Sequence, residues 1–296
     1  MHHTPVWFDS AGEMSFGIML PVREGTMGGE TPRFADLVAM SELAREVGFE
    51  ALWFGDHLSY EQNGETVGTW EAWTLMAAIA NAVPNVQLGP LVTAASYRNP
   101  GLIAKMTEMI DEISGGRFIL GIGAGWAKPE YEQFGYPYDH RASRFEESIK
   151  IIHGLLRTGE SSLDGTFWQT RDAVNKPRGP RSTGAPILIG TNGDRLVKSV
   201  AKYADAWNSD WQASPADYIP LLARLDAACV AIGRDPQSLI RTGSVRFAAD
   251  TSSDDVQRYF HGVRELGIRH LVIGLEPRTS ASVEWIGKEI ARFKAR

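Results

Sequence analysis

The feature that most constrains this chain is an alternation. Short apolar runs recur along its 296 residues, and each is followed by a segment whose apolar positions fall at helical spacing. The runs read as strands over residues 15–20, 50–54, 86–93, 118–120, 187–189, 206–208, 240–247 and 270–273. After the first, Phe34, Leu37, Val38, Leu43, Ala44 and Val47 mark one face of a helix that Gly48 stops. The same reasoning places helices over about 69–82, 100–113, 141–156, 194–203, 214–232, 254–266 and 280–293. Strands joined by crossover helices form a parallel sheet of fixed hand. Eight such units imply closure into an α/β (β/α)8 TIM barrel, with reactive groups on the loops that follow the strands. A doubly wound open sheet is the competing arrangement. The count of eight, with no second run of elements, favours the barrel.

Two stretches depart from the alternation. Residues 127–140 hold Pro129, Gly135 and Pro137 and read as a long loop after the fourth strand, while 158–185 read as an irregular insertion before the fifth. No composition break separates domains, so one barrel domain is expected over 1–296. A hydrophobic content of 43% suits an ordinary globular core, and a net charge of −6 with scattered basic residues argues against nucleic acid or an anionic membrane as partner. No apolar run approaches the roughly 20 residues of a membrane helix. The N-terminus lacks a basic region followed by an apolar run, so no signal peptide is expected, and the His2-His3 pair reads as solvated. The single Cys229 lies in an apolar helical pattern and reads as a packing residue, which fits a cytoplasmic location.

In a barrel, the residues just past each strand line the active site. Here they are poor in charge and rich in glycine, small and aromatic residues. Only Asp56, His57 and Glu276 offer metal-ligating oxygen or nitrogen, and no HxH or HExxH spacing exists, so no metal site is expected. No lysine stands at a strand end for Schiff-base chemistry. His57 directly follows a strand, and histidine is the side chain most used for proton transfer, which makes it the candidate for that role. Asp56 is adjacent but, at neighbouring positions, need not be its partner. His140, His153, His261 and His270 read as structural. Trp53 faces either the barrel interior or the helices, and Trp126 and Trp70 are candidates for the walls of an aromatic pocket.

The stretch 114–126, SGGRFILGIGAGW, carries Gly121, Gly123 and Gly125 at alternate positions past a buried strand. Glycine there lets a flat ligand approach the backbone. A dinucleotide fingerprint would require a helix opening at its third glycine, and a proline-containing loop follows instead. Gly190, Thr191, Asn192 and Gly193 follow the fifth strand and open a helix, which offers free amides to a phosphate, with Arg195 and Lys198 nearby. An ordinary capped turn is the alternative reading, and Asp194 would repel a phosphate if it pointed inward.

Taken together, ALWFGDHL (51–58), GTWEAWTLMAAIA (68–80), VQLGPLVTAASYRNPGLIAKM (86–106), the glycine stretch with Glu130 and Phe134-Gly135, RASRFEES (141–148), RDAVNKPRGP (171–180) and PILIGTNGDRLVKSVAKYADAWN (186–208) resemble the luciferase-like monooxygenase superfamily. They are most similar to its branch of F420-dependent oxidoreductases, over about two thirds of the chain. The resemblance implies a barrel that binds a deazaflavin or flavin ring over the residues after strands two to four. These map to Asp56 and His57, to Thr93, Ala94 and Ala95, and to Gly123, Ala124, Gly125 and Trp126. It further implies a non-proline cis peptide near 93–95 and a phosphate seat at Gly190–Gly193, where Thr191-Asn192 departs from the more uniform glycine run of many relatives. Dimerisation is common in the family, so the resemblance allows a homodimer, but no patch in the chain marks an interface.

The implied function is hydride transfer between coenzyme F420 and a small organic substrate, with His57 moving the balancing proton. An FMN-dependent monooxygenase of the same fold is one alternative. A non-catalytic flavin- or deazaflavin-binding protein is another. The substrate is set by residues 27–30, the 58–69 loop and the 158–185 insertion, whose sequences do not reveal it.

Overall fold

Each apolar run takes its place in one parallel sheet. The computed structural model describes residues 13–295, so the His2-His3 pair lies outside the described residues. The barrel strands, first to eighth, are Ser15–Met19, Ala51–Phe54, Gln87–Pro90, Leu120–Gly123, Ile187–Gly190, Ala206–Trp211, Ile240–Ala248 and His270–Glu276. Hydrogen-bonded neighbours run from the second strand through the first, eighth, seventh, sixth and fifth to the fourth. The third strand closes the ring in two pieces. Gln87–Pro90 pairs with the second strand, Thr93–Ala94 pairs with the fourth, and Leu88 bridges to Phe118. The expected TIM barrel is therefore observed, and the open sheet is not.

The helices are α1 (Phe34–Glu46), α2 (Ala72–Ala82), α3 (Pro100–Ser114), α4 (Lys128–Phe134), α5 (Arg141–Arg157), α6 (Asp194–Tyr203), α7 (Tyr218–Val230), α8 (Ser253–Glu265) and α9 (Ser280–Lys294). All but α4 belong to the outer ring, which closes where α9 packs on α1. Their apolar faces bury Phe16, Phe54, Phe118, Phe145 and Phe260 against the outside of the sheet. Each such side chain contributes on the order of 1.5–3 kcal/mol.

A smaller apolar cluster fills the barrel itself: Met19, Ala51, Trp53, Ile119, Leu188, Ala206 and Val272. Trp53 thus faces the interior. Gly17 makes room for it, since a Cβ there would collide with the indole and with His270. Trp53 Nε1 donates to His270 Nε2 at 2.9 Å, while Nδ1 lies 2.8 Å from Ser15 Oγ. An indole nitrogen can only donate, so Nε2 must accept and the imidazole is neutral. Burial pushes the His270 pKa down to about 3.

Three stretches read from the sequence as irregular are ordered elements. Residues 59–68 form an antiparallel hairpin, Ser59–Gln62 with Glu65–Gly68, turned by Asn63 and Gly64 with φ of 53° and 80°. The 158–185 insertion contains a second hairpin, Glu160–Asp164 with Gln169–Val174, whose Leu163, Trp168 and Ala173 pack on the core. Helix α4 occupies part of the supposed 127–140 loop. Proline in its first turn is compatible with a helix, because that N–H has no intrahelical acceptor, and Gly135 at φ 74° ends it.

Candidate active site

The C-terminal ends of the strands surround a cavity of about 760 Å3, within the range that small-molecule sites occupy. Of the residues singled out from the sequence, Asp56, His57, Ala94, Gly123, Ala124, Gly125, Trp126, Gly190, Thr191 and Asn192 line it together. Thr93 and Ala95 are fully buried outside this lining, and Gly193 lines a small neighbouring cleft instead. Trp70 does not reach the cavity; its Nε1 donates to Pro32 O at 2.7 Å and fastens two loops.

His57 is oriented by a residue to which the sequence reading gave no role. Its Nδ1 lies 2.9 Å from Glu130 Oε2. Oε1 of the same carboxylate accepts the backbone N–H groups of Leu58 and Ser59. Burial alone would raise the Glu130 pKa, but the hydrogen bonds from His57 and the Leu58 amide outweigh it and hold the carboxyl below its usual range. Glu130 therefore stays ionised and fixes the ring. Nε2 of His57 makes no hydrogen bond among the described residues. The Tyr60 and Trp126 rings flank the imidazole at centroid distances of 4.3 and 5.5 Å. The helix that delivers Glu130 was signalled by Lys128-Pro129 at one end and Gly135 at the other, and the hairpin that delivers Tyr60 by Asn63-Gly64.

Asp56, by contrast, is committed to the scaffold. Its carboxylate receives Arg98 Nη1 and Nη2 at 2.7 and 3.0 Å, and Arg98 Nη2 also reaches Glu71 Oε1 at 2.7 Å. Burial raises the Asp56 pKa, and the guanidinium offsets only part of that rise. Glu71 in turn caps α2 by accepting the Trp73 and Thr74 amides. The pair ties the loop after the second strand to the segment after the third.

The alternate glycines serve the barrel as well as the cavity. The Leu91–Val92 peptide is cis, which places the non-proline cis bond before the 93–95 region implied by the resemblance. The Val92 side chain projects among glycines: a Cβ on Gly123 would lie 2.8 Å from Val92 Cγ2, and one on Gly190 2.9 Å from Cγ1. A Cβ on Gly121 would collide with Pro90 O, so that glycine is needed for strand packing and not for a ligand. Gly125, at φ 75°, takes a left-handed conformation in which a Cβ would strike the Tyr131 hydroxyl. Leu91 and Val92 line the cavity, so the floor is this segment together with Gly123–Trp126.

The turn after the fifth strand is held from its neighbour. Trp207 Nε1 donates to Thr191 O at 2.8 Å, Thr191 N donates to Asn208 O at 3.1 Å, and Asn192 Oδ1 accepts the Asp210 amide at 3.2 Å. Asp194 pairs with Arg224 and lines the neighbouring cleft, so it does not oppose an anion in the main cavity. Arg195 is spent on Glu146 at 2.7 Å and supplies no charge there. The residues present fit a flat, uncharged ring on Leu91–Val92 and Gly123–Trp126, with an anionic tail at the start of α6.

The sequence reading also gave no role to a group across the mouth: Arg23, Arg246 and Arg278, with Tyr60 and Trp211 beside them, all lining the same cavity. Among the described residues, no cluster of His, Cys, Asp and Glu is suited to a metal ion, and no helix is long and apolar enough to cross a membrane.

Comparison with known proteins agrees with this architecture. A ketoreductase of phthiodiolone and phenolphthiodiolone dimycocerosates from Mycobacterium bovis is 27% identical over 268 residues, covering 80% of this chain and 70% of the relative. The pyrimidine monooxygenase RutA of Yersinia enterocolitica is 33% identical over 179 residues, covering 57% of this chain and 47% of the relative. The coenzyme F420 dependent tetrahydromethanopterin reductase of Methanopyrus kandleri superposes with a TM-score of 0.79 at 18% identity, covering 95% of this chain and 99% of that one. The profile of the luciferase-like monooxygenase family matches residues 14–290, and the chain belongs to that family.

Proposed function

We propose that this protein is an F420-dependent oxidoreductase that transfers a hydride between the deazaflavin and a small organic substrate. The observation that carries the reading is the His57–Glu130 pair, 2.9 Å apart at the edge of an uncharged, glycine-lined floor. When bound, the cofactor supplies the hydride chemistry. The chain does the rest. Leu91–Val92 and Gly123–Trp126 support the ring, the turn at Gly190–Gly193 holds its anionic tail, and the walls exclude water. Glu130 fixes the tautomer of His57, whose Nε2 gives or takes the proton that balances the hydride. The similarity to a ketoreductase suits this reaction, because reduction of a ketone needs a proton on oxygen as well as a hydride on carbon.

A second reading, a flavin-dependent monooxygenase with FMN and oxygen, is favoured by the similarity to RutA. Oxygen consumption separates the two. His57→Ala is expected to lower turnover by about a hundredfold or more, the usual contribution of a positioned acid or base. F420 affinity should remain within a few-fold of the unmodified protein. Unchanged turnover would remove His57 from the mechanism.

A further inference from the structure

Outside the proposed ring site, the most unusual chemistry lies on the arc formed by the ends of the seventh, eighth and first strands. Arg246 stands on the seventh strand, Arg278 just past the eighth and Arg23 past the first. In sheet order these strands are consecutive, and the first strand is diametrically opposite the fifth, which carries the Gly190 turn. The arginines therefore face the cavity from the side away from the proposed tail seat.

Their partners are aromatic and neutral. The Arg23 guanidinium lies 5.1 Å from the Tyr60 ring centroid and that of Arg246 lies 4.6 Å from Trp211. Arg278 Nη1 donates to Leu20 O at 3.1 Å. Among the described residues none of the three makes an ion pair, whereas Arg98, Arg157 and Arg195 do. Among the described residues of this arc that line the cavity, Glu276 is the one acid, and its charge acts on Arg278; Glu24, beside Arg23, accepts the Gly68 amide, and Asp210, on the sixth strand, spends a carboxylate oxygen on the Trp211 amide. Burial, with Arg23 and Arg246 close by, pushes the Arg278 pKa below its usual value, while burial raises that of Tyr60 to about 12 against the pull of all three arginines. A largely buried guanidinium without a carboxylate is costly unless something anionic joins it. In a chain of net charge −6, such a local excess of cations is a specific arrangement. Tyr60 connects it to the chemistry, since its ring also lies 4.3 Å from that of His57.

We propose that Arg23, Arg246 and Arg278 form an oxyanion site for the substrate, which carries a carboxylate or phosphate, and that this anion is held beside Tyr60 while the reacting carbon reaches His57. The planar fork of arginine suits both anions; aromatic rings hold those of Arg23 and Arg246, and the Leu20 carbonyl holds that of Arg278. The identity of the reacting group rests on the proposed oxidoreductase reading; the anion site itself does not.

The test uses the full chain and three probes, benzoate, phenyl phosphate and neutral benzamide, titrated by calorimetry, with F420 and FMN binding followed in parallel by tryptophan fluorescence. Benzoate or phenyl phosphate should bind at least about tenfold more tightly than benzamide, with an affinity that falls as salt rises. Arg246→Gln and Arg278→Gln should each erase that preference while leaving cofactor affinity within about twofold; the exposed Arg246 provides a variant whose folding is not in question. Equal binding of benzoate and benzamide would overturn the proposal. So would a parallel loss of cofactor affinity in both variants, which would assign the arginines to the cofactor's own phosphate. Retained anion preference with no response to either cofactor would support the site and refute the oxidoreductase reading instead.

Discussion

The two halves of the cavity mouth differ in how they treat charge. On the half built from strands two to six, Asp56 is spoken for by Arg98 and Glu130 by His57 and two amides, while Asp194 pairs with Arg224 outside the main cavity. What remains is backbone, glycine and small apolar side chains. On the half built from strands seven, eight and one, three arginines stand without an ion pair among the described residues. A protein gains rigidity by satisfying its own charges and gains a binding site by leaving them unsatisfied. On the proposed reading, the first half is a platform for a neutral ring and the second a receptor for an anion.

This contrast can be broken by stability measurements. Arg98→Leu leaves the Asp56 carboxylate buried without its counter-charge and should cost about 3–5 kcal/mol in urea unfolding. Arg278→Met, at a similarly enclosed guanidinium, should cost far less, because it leaves behind the Leu20 carbonyl and no buried counter-charge. Equal losses would show that Arg278 is structural and that the halves do not differ.

Acid should act inside the barrel, where the eighth strand begins beside the first. Neutral His270 accepts from Trp53 and has its pKa pushed down to about 3 from a usual 6.5. The unfolded chain binds a proton at this residue between those values and the native chain does not. Stability is therefore fully present above about pH 6.5 and declines, by on the order of a few kcal/mol, as pH falls toward 3. His270→Gln should flatten that part of the stability–pH curve; an unchanged slope would locate acid sensitivity elsewhere.

Much of this was legible in the sequence. The alternation of 3.6-residue periodicity with short apolar runs is a local signal, and all eight strands overlap the runs it marked, although the fourth, Leu120–Gly123, starts only at the end of the 118–120 run and takes in two glycines read as lying past it. Local turn chemistry was equally present but weighed too lightly: Asn63-Gly64 marks the hairpin carrying Tyr60, and Pro129 with Gly135 brackets the helix carrying Glu130. His57 could be singled out from its place after a strand. Its partner could not, because the contact spans 73 positions and depends on barrel closure. The arginine arc was hidden for the same reason. Arg23, Arg246 and Arg278 are far apart in the chain and become neighbours only when the eighth strand pairs with both the first and the seventh. Gly121 shows the reverse error. Its alternation with Gly123 and Gly125 suggested a ligand, but its own reason is the close passage of the third strand.

The smallest change that separates the halves is a single charge at the turn after the fifth strand. Asn192→Asp keeps the acceptor for the Asp210 amide and adds a negative charge where the cofactor's tail is proposed to lie. The decisive measurement is a fluorescence titration of the unmodified protein, Asn192→Asp and Arg246→Gln with F420 and with FMN. The account predicts F420 binding that Asn192→Asp weakens by about tenfold, roughly the effect of a nearby like charge at a partly exposed site, and that Arg246→Gln leaves unchanged. Weakening by Arg246→Gln with no effect of Asn192→Asp would contradict it, because the cofactor's tail would then lie on the arginine half.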